Sequence, residues 1–203
     1  MNKKIVIVGA GGHARVIADI VRASNDIVVG FLDDAYEKGD ALYGSQILGH
    51  TDNYISYKDE CYFVLAIGNN ITRQTLAQKM NCSWHTAIHP SAVISPSAQI
   101  KEGAVVMPGA VINANAVIGK HAIVNTCAIV EHDSDIGEFS HISPRCTVCG
   151  VTRIGKRVWL GAGAVVINVK KICDDVIVGA GAVVTKSIEE EGTYVGVPCK
   201  KIK

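Results

Sequence analysis

The sequence predicts a small α/β domain followed by a parallel β-solenoid, and three observations carry that expectation. The apolar run Ile5-Val6-Ile7-Val8 breaks at the glycine-rich residues 9–12 and gives way to a segment with helical spacing, which is the order strand, turn, helix. From Ile88 to Val184 a branched aliphatic side chain recurs every six residues, a self-similarity that marks a repeat architecture. Aromatic residues make up only 5% of the 203 residues while 48% are hydrophobic, so the core is built of small aliphatics rather than rings.

Taken in order, residues 5–8 read as a strand buried on both faces, because the apolar run has no polar alternation. Residues 14–23 place Val16, Ile17, Ile20 and Val21 at helical spacing, giving an amphipathic helix that opens at the glycines. A second strand spans 27–32 and ends on Asp33 and Asp34. A third spans 62–67 and runs into Gly68, Asn69 and Asn70, before a helix rich in Gln, Leu, Ala and Lys. The expectation is a βαβ-type, Rossmann-like parallel sheet of about three main strands in residues 1–85, with the solenoid in residues 86–203.

In the second part, the position two residues before each aliphatic is small almost throughout: Ala92, Ala98, Ala104, Ala110, Ala116, Ala122, Ala128, Ser134, Ser140, Cys146 and Thr152 among others, with Lys170 the misfit. The two positions share strand parity and so face inward. Three six-residue units make a triangular coil of eighteen residues, and coils stack about 4.8 Å apart. Residues eighteen apart are therefore stacked neighbours.

Charge excludes several functions. Twenty basic against nineteen acidic residues leave a formal charge of +1, with no excess to grip nucleic-acid phosphates or an anionic membrane. No stretch is long and apolar enough to span a bilayer, and the apolar run at the N-terminus is too short for a signal peptide. The expectation is a cytoplasmic protein. Seven scattered cysteines suit reduced thiols rather than a disulfide scaffold. Cys146 and Cys149 form a lone CxxC, which is too few ligands for a zinc site.

Catalytic candidates are residues the repeat does not need. Glu131, His132 and Asp133 follow an inward Val130 at an outward corner. An imidazole has the pKa of a general base near neutrality, and an adjacent carboxylate can orient it. One coil on, eighteen residues later, stands Gly150. With no side chain there, its backbone N–H can act as an oxyanion donor beside the imidazole. His141 lies nine residues from His132, half a coil, so a site using both must straddle two copies of the chain. In the first domain the loop Gly9 to Ala14 sits where backbone N–H groups and a helix dipole bind phosphate, and Asp33 is placed to hydrogen-bond a ribose. Residues 1–85 hold only half of a dinucleotide fold, which favours a nucleotide-sugar over NAD.

The glycine loop with GGH at 11–13, FLDD at 31–34, AIGNN at 66–70, EHD at 131–133, IGEFSHIS at 136–143 and the ending GVPCK resemble the hexapeptide-repeat nucleotide-sugar acetyltransferases of the PglD/NeuD type along essentially the whole chain. The resemblance implies a left-handed parallel β-helix and a homotrimer with intersubunit active sites that uses acetyl-CoA and no metal. It implies N-acetylation of the 4-amino group of a UDP-linked 4-amino-4,6-dideoxy sugar. It further implies that Gly11, Gly12, His13, Asp33, Asp34 and Gly68 hold the nucleotide-sugar. His132 would be the base, and Asp133, where relatives often carry Glu, would raise its basicity. His141 and the backbone at Ala162 and Ala180 would contact acetyl-CoA. O-acetylation of a sialic- or legionaminic-type sugar, a non-catalytic nucleotide-sugar-binding or scaffold subunit, and a zinc hydratase are the alternatives.

Overall fold

The computed structural model describes residues 2–203, and the chain divides into two compact units, one ending at Pro90 and the other spanning Ser91–Lys203. The first unit is a five-stranded sheet with helices. Its strands are β1 (Lys4–Val8), β2 (Ile27–Leu32), β3 (Ala41–Leu42), β4 (Ser45–Gly49) and β5 (Tyr62–Leu65), and its helices are α1 (Gly12–Ala23) and α2 (Asn70–Lys79). The sheet order is β3-β4-β2-β1-β5, with β1 parallel to both β2 and β5. The chain passes from β1 to β2 on one side and returns to β5 on the other, so the order reverses at β1. In open α/β sheets that reversal leaves a crevice at the carboxyl ends of the strands.

The apolar run forecast as a double-sided strand is fully enclosed: Ile5, Val6, Ile7 and Val8 are all 0% exposed. Helix α1 buries Ala14, Ile17, Ala18, Ile20 and Val21, whereas Val16 is exposed. The inward stripe thus follows the 14, 17, 18, 21 spacing, with two alanines letting the helix lie close to the sheet. Strands β3 and β4 form a hairpin that the sequence pattern does not announce. Its turn residues Tyr43 and Gly44 both have positive φ, 51° and 73°, the geometry of a type I′ turn. A tyrosine in place of the usual Asn or Asp conceals it.

The second unit is the solenoid, a left-handed parallel β-helix. One face stacks two-residue strands from Val93–Ile94 to Val183–Val184, and a second from Gln99–Ile100 to Lys171–Ile172. The third runs from Val105–Val106 to Val176–Val178. All pairings within the faces are parallel with partners eighteen residues apart, as in Val111 with Ile129 and Ile129 with Thr147. The third face is continued by Gly192–Val195 and closed by an antiparallel pairing with Lys200–Lys201.

Every forecast aliphatic position from Val106 to Val184 is buried, and so are the small positions from Ala104 to Ala182 except Lys170, which is half-buried. Where the small residue is polar its side chain donates to a carbonyl one coil on: Ser134 Oγ to Cys149 O at 3.1 Å and Ser140 Oγ to Gly155 O at 2.7 Å. Buried hydroxyls are satisfied in this way without breaking the coil. Each corner needs one residue in the left-handed region, and it recurs every six residues, including Asn115 (φ 58°), Asp133 (58°) and Val151 (59°). Asn and Asp tolerate that conformation, whereas for a β-branched valine it is unfavourable.

Candidate active site

The solenoid corner that follows Val130 brings three sequence-predicted residues together. His132 Nδ1 lies 2.8 Å from Asp133 Oδ2. An ionised carboxylate only accepts, so Nδ1 carries the proton and Nε2 is left as the basic nitrogen. The hydrogen bond from the imidazole, followed by one from Asn115, holds the Asp133 carboxyl below its usual range. Gly150 occupies the next coil. A Cβ built on it would stand 2.7 Å from His132 Nε2 and 2.8 Å from Cε1, so the ring rests in space that only glycine leaves open. The Gly150 N–H donates to no acceptor among the described residues. A base nitrogen and an uncommitted N–H at one corner are the parts that acyl transfer requires.

The crevice of the first unit gathers a second set. A cleft of about 410 Å³ is lined by Gly9, Asp33, Asp34, Thr51, Ile67 and Thr72, among others. Gly9 has φ +106°, and a Cβ there would meet Ile67 Cδ1 at 2.8 Å, so the glycine is needed for both conformation and space. Gly11, Gly12 and Gly68 have nothing within 4 Å of a built Cβ and are open to approach. Asp33 is engaged by the loop itself, its Oδ2 accepting from Ala10 N–H at 2.7 Å and its Oδ1 from Ala35 N–H at 2.9 Å. Asp34 accepts from Thr51 N–H at 2.7 Å, and that bond draws its carboxyl below the usual range. His13, in the first turn of α1, has its pKa lowered to about 4, first by burial and then by the Arg73 guanidinium.

His141 projects outward from the third face, whereas His132 sits at the corner joining the other two, so a single chain does not bring them together. Asn125 Oδ1 accepts from Thr126 N–H at 2.7 Å, which turns Nδ2 toward His141 Nε2 at 2.9 Å. His141 stacks on Trp159 with ring centroids 6.4 Å apart. Ala162 and Ala180 are exposed, stacked one coil apart through the Gly181 N–H to Ala162 O bond of 2.9 Å. Neither alanine N–H has an acceptor among the described residues, so two donors stand about 4.8 Å apart along one edge.

Cys146 is buried with its Sγ 2.9 Å from Gly161 O, and burial pushes its thiol up to about 11. Among the described residues no group of three His, Cys, Asp or Glu side chains could hold a metal ion. None of their helices is long and apolar enough to cross a membrane.

Residues 4–80 match the PglD N-terminal domain family. The acetyltransferase domain of PglB from Neisseria gonorrhoeae superposes with a TM-score of 0.94 at 34% identity, covering 99% of this chain and 100% of that one. The chain belongs to the PglD-type nucleotide-sugar acetyltransferases. PerB from Caulobacter crescentus, solved with CoA and GDP-perosamine, matches with a TM-score of 0.93 at 38% identity over 98% of this chain and 97% of that one. The UDP-N-acetylbacillosamine N-acetyltransferase of Bacillus subtilis is 39% identical over 100 residues, a stretch that spans about half of each protein, 46% of this chain and 46% of the relative.

Two residues in this PglD-type chain gain definition only from the structure. Arg73, in α2, is 1% exposed and donates to Ile67 O at 2.9 Å, Gly68 O at 3.1 Å and Asn70 Oδ1 at 2.8 Å. It braces the turn after β5, and burial lowers its pKa to about 9. Asn115 stands one coil before Asp133 and donates from Nδ2 to Asp133 Oδ1 at 3.1 Å. The eighteen-residue spacing was the available signal for Asn115. An arginine folded back on its own loop leaves none.

Proposed function

We propose that the chain transfers the acetyl group of acetyl-CoA to the 4-amino group of a UDP-linked 4-amino-4,6-dideoxy sugar, an N-acetylation in bacterial glycan synthesis. The observation that carries this reading is the His132 corner, where Nδ1 is held by Asp133 and Nε2 faces the vacant side of Gly150. His132 Nε2 removes the amine proton as nitrogen attacks the thioester carbonyl. The Gly150 N–H then stabilises the oxyanion, and CoA leaves as its thiolate with no covalent enzyme intermediate.

Gly11, Gly12, His13, Asp33, Asp34 and Gly68 form the nucleotide-sugar site. The open glycines admit the diphosphate to the start of α1. His13 stays neutral at physiological pH and meets the substrate as a hydrogen-bonding group rather than a cation. His141, with the free N–H groups of Ala162 and Ala180, receives acetyl-CoA; two stacked donors suit the amide carbonyls of a pantetheine arm. Since His132 and His141 lie on opposite sides of one prism, the active site is completed by a neighbouring copy of the chain in a cytoplasmic homotrimer. The names of the relatives support both a UDP- and a GDP-linked amino sugar as the substrate class.

The test is CoA thiol release from acetyl-CoA with UDP-4-amino-4,6-dideoxy-N-acetylglucosamine, GDP-perosamine and free sialic acid, alongside His132→Ala. Turnover of the UDP-amino sugar that is lost in His132→Ala supports the reading. Turnover of GDP-perosamine alone changes the nucleotide, and turnover of sialic acid alone replaces N- with O-acetylation. Silence on all three overturns the reading in favour of a binding subunit.

A further inference from the structure

The corner that carries His132 has a third member beyond the imidazole and its carboxylate. Asn115 and Asp133 occupy the same left-handed position in successive coils, with φ 58° at each. Their side chains leave the corner in the same direction, one directly over the other. Asn115 is itself anchored, its backbone N–H donating to Ser97 Oγ, eighteen residues earlier, at 3.0 Å. Its Nδ2 donates to Asp133 Oδ1 at 3.1 Å, while Asp133 Oδ2 faces His132 Nδ1 at 2.8 Å. We infer that Asn115 is a positioning residue that fixes the Asp133 carboxylate so that only Oδ2 faces His132, setting the imidazole tautomer with Nε2 free to act as the base.

The physical argument rests on exposure. The side chain of Asp133 is 48% exposed, so its carboxylate is held by hydrogen bonds rather than by close packing. A short carboxylate in the open can rotate, offering either oxygen to the ring or to water. Asn115 removes that freedom by occupying one oxygen with a donor that cannot lose its proton. A base held by a carboxylate works only in the tautomer whose far nitrogen is bare. The other charged group acting on Asp133 is Arg153, which forms an ion pair with Asp135. Arg153 therefore supplies field without fixing direction. The inference rests on the reading of His132 as the base.

Two variants keep the backbone geometry. Asn115→Gly suits the left-handed conformation and removes the side chain, whereas Asn115→Asp keeps its shape but replaces the donor with an acceptor. The readouts are the ring-nitrogen NMR shifts of His132 in the full chain and steady-state kinetics across pH. Each variant is expected to mix the His132 tautomers and lower kcat about tenfold, the effect of one lost hydrogen bond of ordinary strength, with KM for both substrates changed less than about twofold. Asn115→Asp is also expected to move the acidic limb of the kcat profile to higher pH, because an added negative charge favours the imidazolium. A structural role alone would scale activity with the folded fraction and leave the tautomer untouched.

Unchanged tautomer and kcat in both variants would overturn the inference. So would loss of activity in the Asn115 variants while His132→Ala remains active. A tautomer shift in a chain that acetylates no amino sugar upholds the positioning role while refuting the function proposed above, so the two failures are separable.

Discussion

The imidazole of His132 occupies the space above Gly150, so close that a methyl group on that glycine would fall 2.7 Å from Nε2. The contact is with the tip of a side chain rather than with backbone, so Gly150→Ala is accommodated by rotating the ring away from Asp133. The fold is expected to survive with a stability change within about 1 kcal/mol. kcat is expected to fall about 10²-fold, since a displacement near 1 Å is enough to spoil the attack geometry. Thermal unfolding beside CoA-release kinetics checks both halves; a large loss of stability with normal kcat in the folded fraction would contradict the account.

Removing the imidazole itself has a different signature. His132→Ala is expected to lower kcat by about 10² to 10⁴ while substrate binding is nearly unchanged. Calorimetric titration of the variant with the nucleotide-sugar separates the two quantities. An unaltered kcat would take His132 out of the chemistry.

A pH-linked loss of stability is expected from the first unit. His13 has its pKa lowered to about 4 in the folded chain from an ordinary 6.5. Between those values the unfolded chain binds the extra proton and the folded one does not, so stability falls as pH drops from 6.5 toward 4. Tm measured at pH 7 and pH 5 should therefore decline less in His13→Gln than in the parent chain. Equal declines would mean that His13 is not held neutral by its surroundings.

Cys146 fills one of the small inward positions, and its raised thiol pKa of about 11 makes thiolate scarce at neutral pH. Alkylation by iodoacetamide at pH 8, mapped by mass spectrometry, should leave Cys146 unmodified in the native chain and modify it in urea. Native labelling at Cys146 would show that the coil opens at that level.

Much of this architecture is legible in the sequence. The six-residue period of Ile and Val from residue 88 specifies three-sided coils. That in turn makes residues 132 and 150 stacked neighbours and puts residues 132 and 141 on opposite sides of a prism. These are relations of backbone register, and a strict repeat determines register because each coil buries its aliphatic and small residues only in phase with the next. What only the tertiary structure decided is where polar side chains spend their hydrogen bonds. Asp33 turns its carboxylate to Ala10 and Ala35, Arg73 folds onto the Ile67–Asn70 turn, Asn125 presents its amide to His141, and Tyr43 enters a left-handed turn that its sequence does not advertise. Each choice is between water and several protein partners of similar strength, separated by a few rotamers, and the neighbours that tip it come from distant parts of the chain. Hydrophobic period sets the frame because it sums over many residues, whereas a single hydrogen bond depends on the one partner that the folded backbone brings within 3 Å.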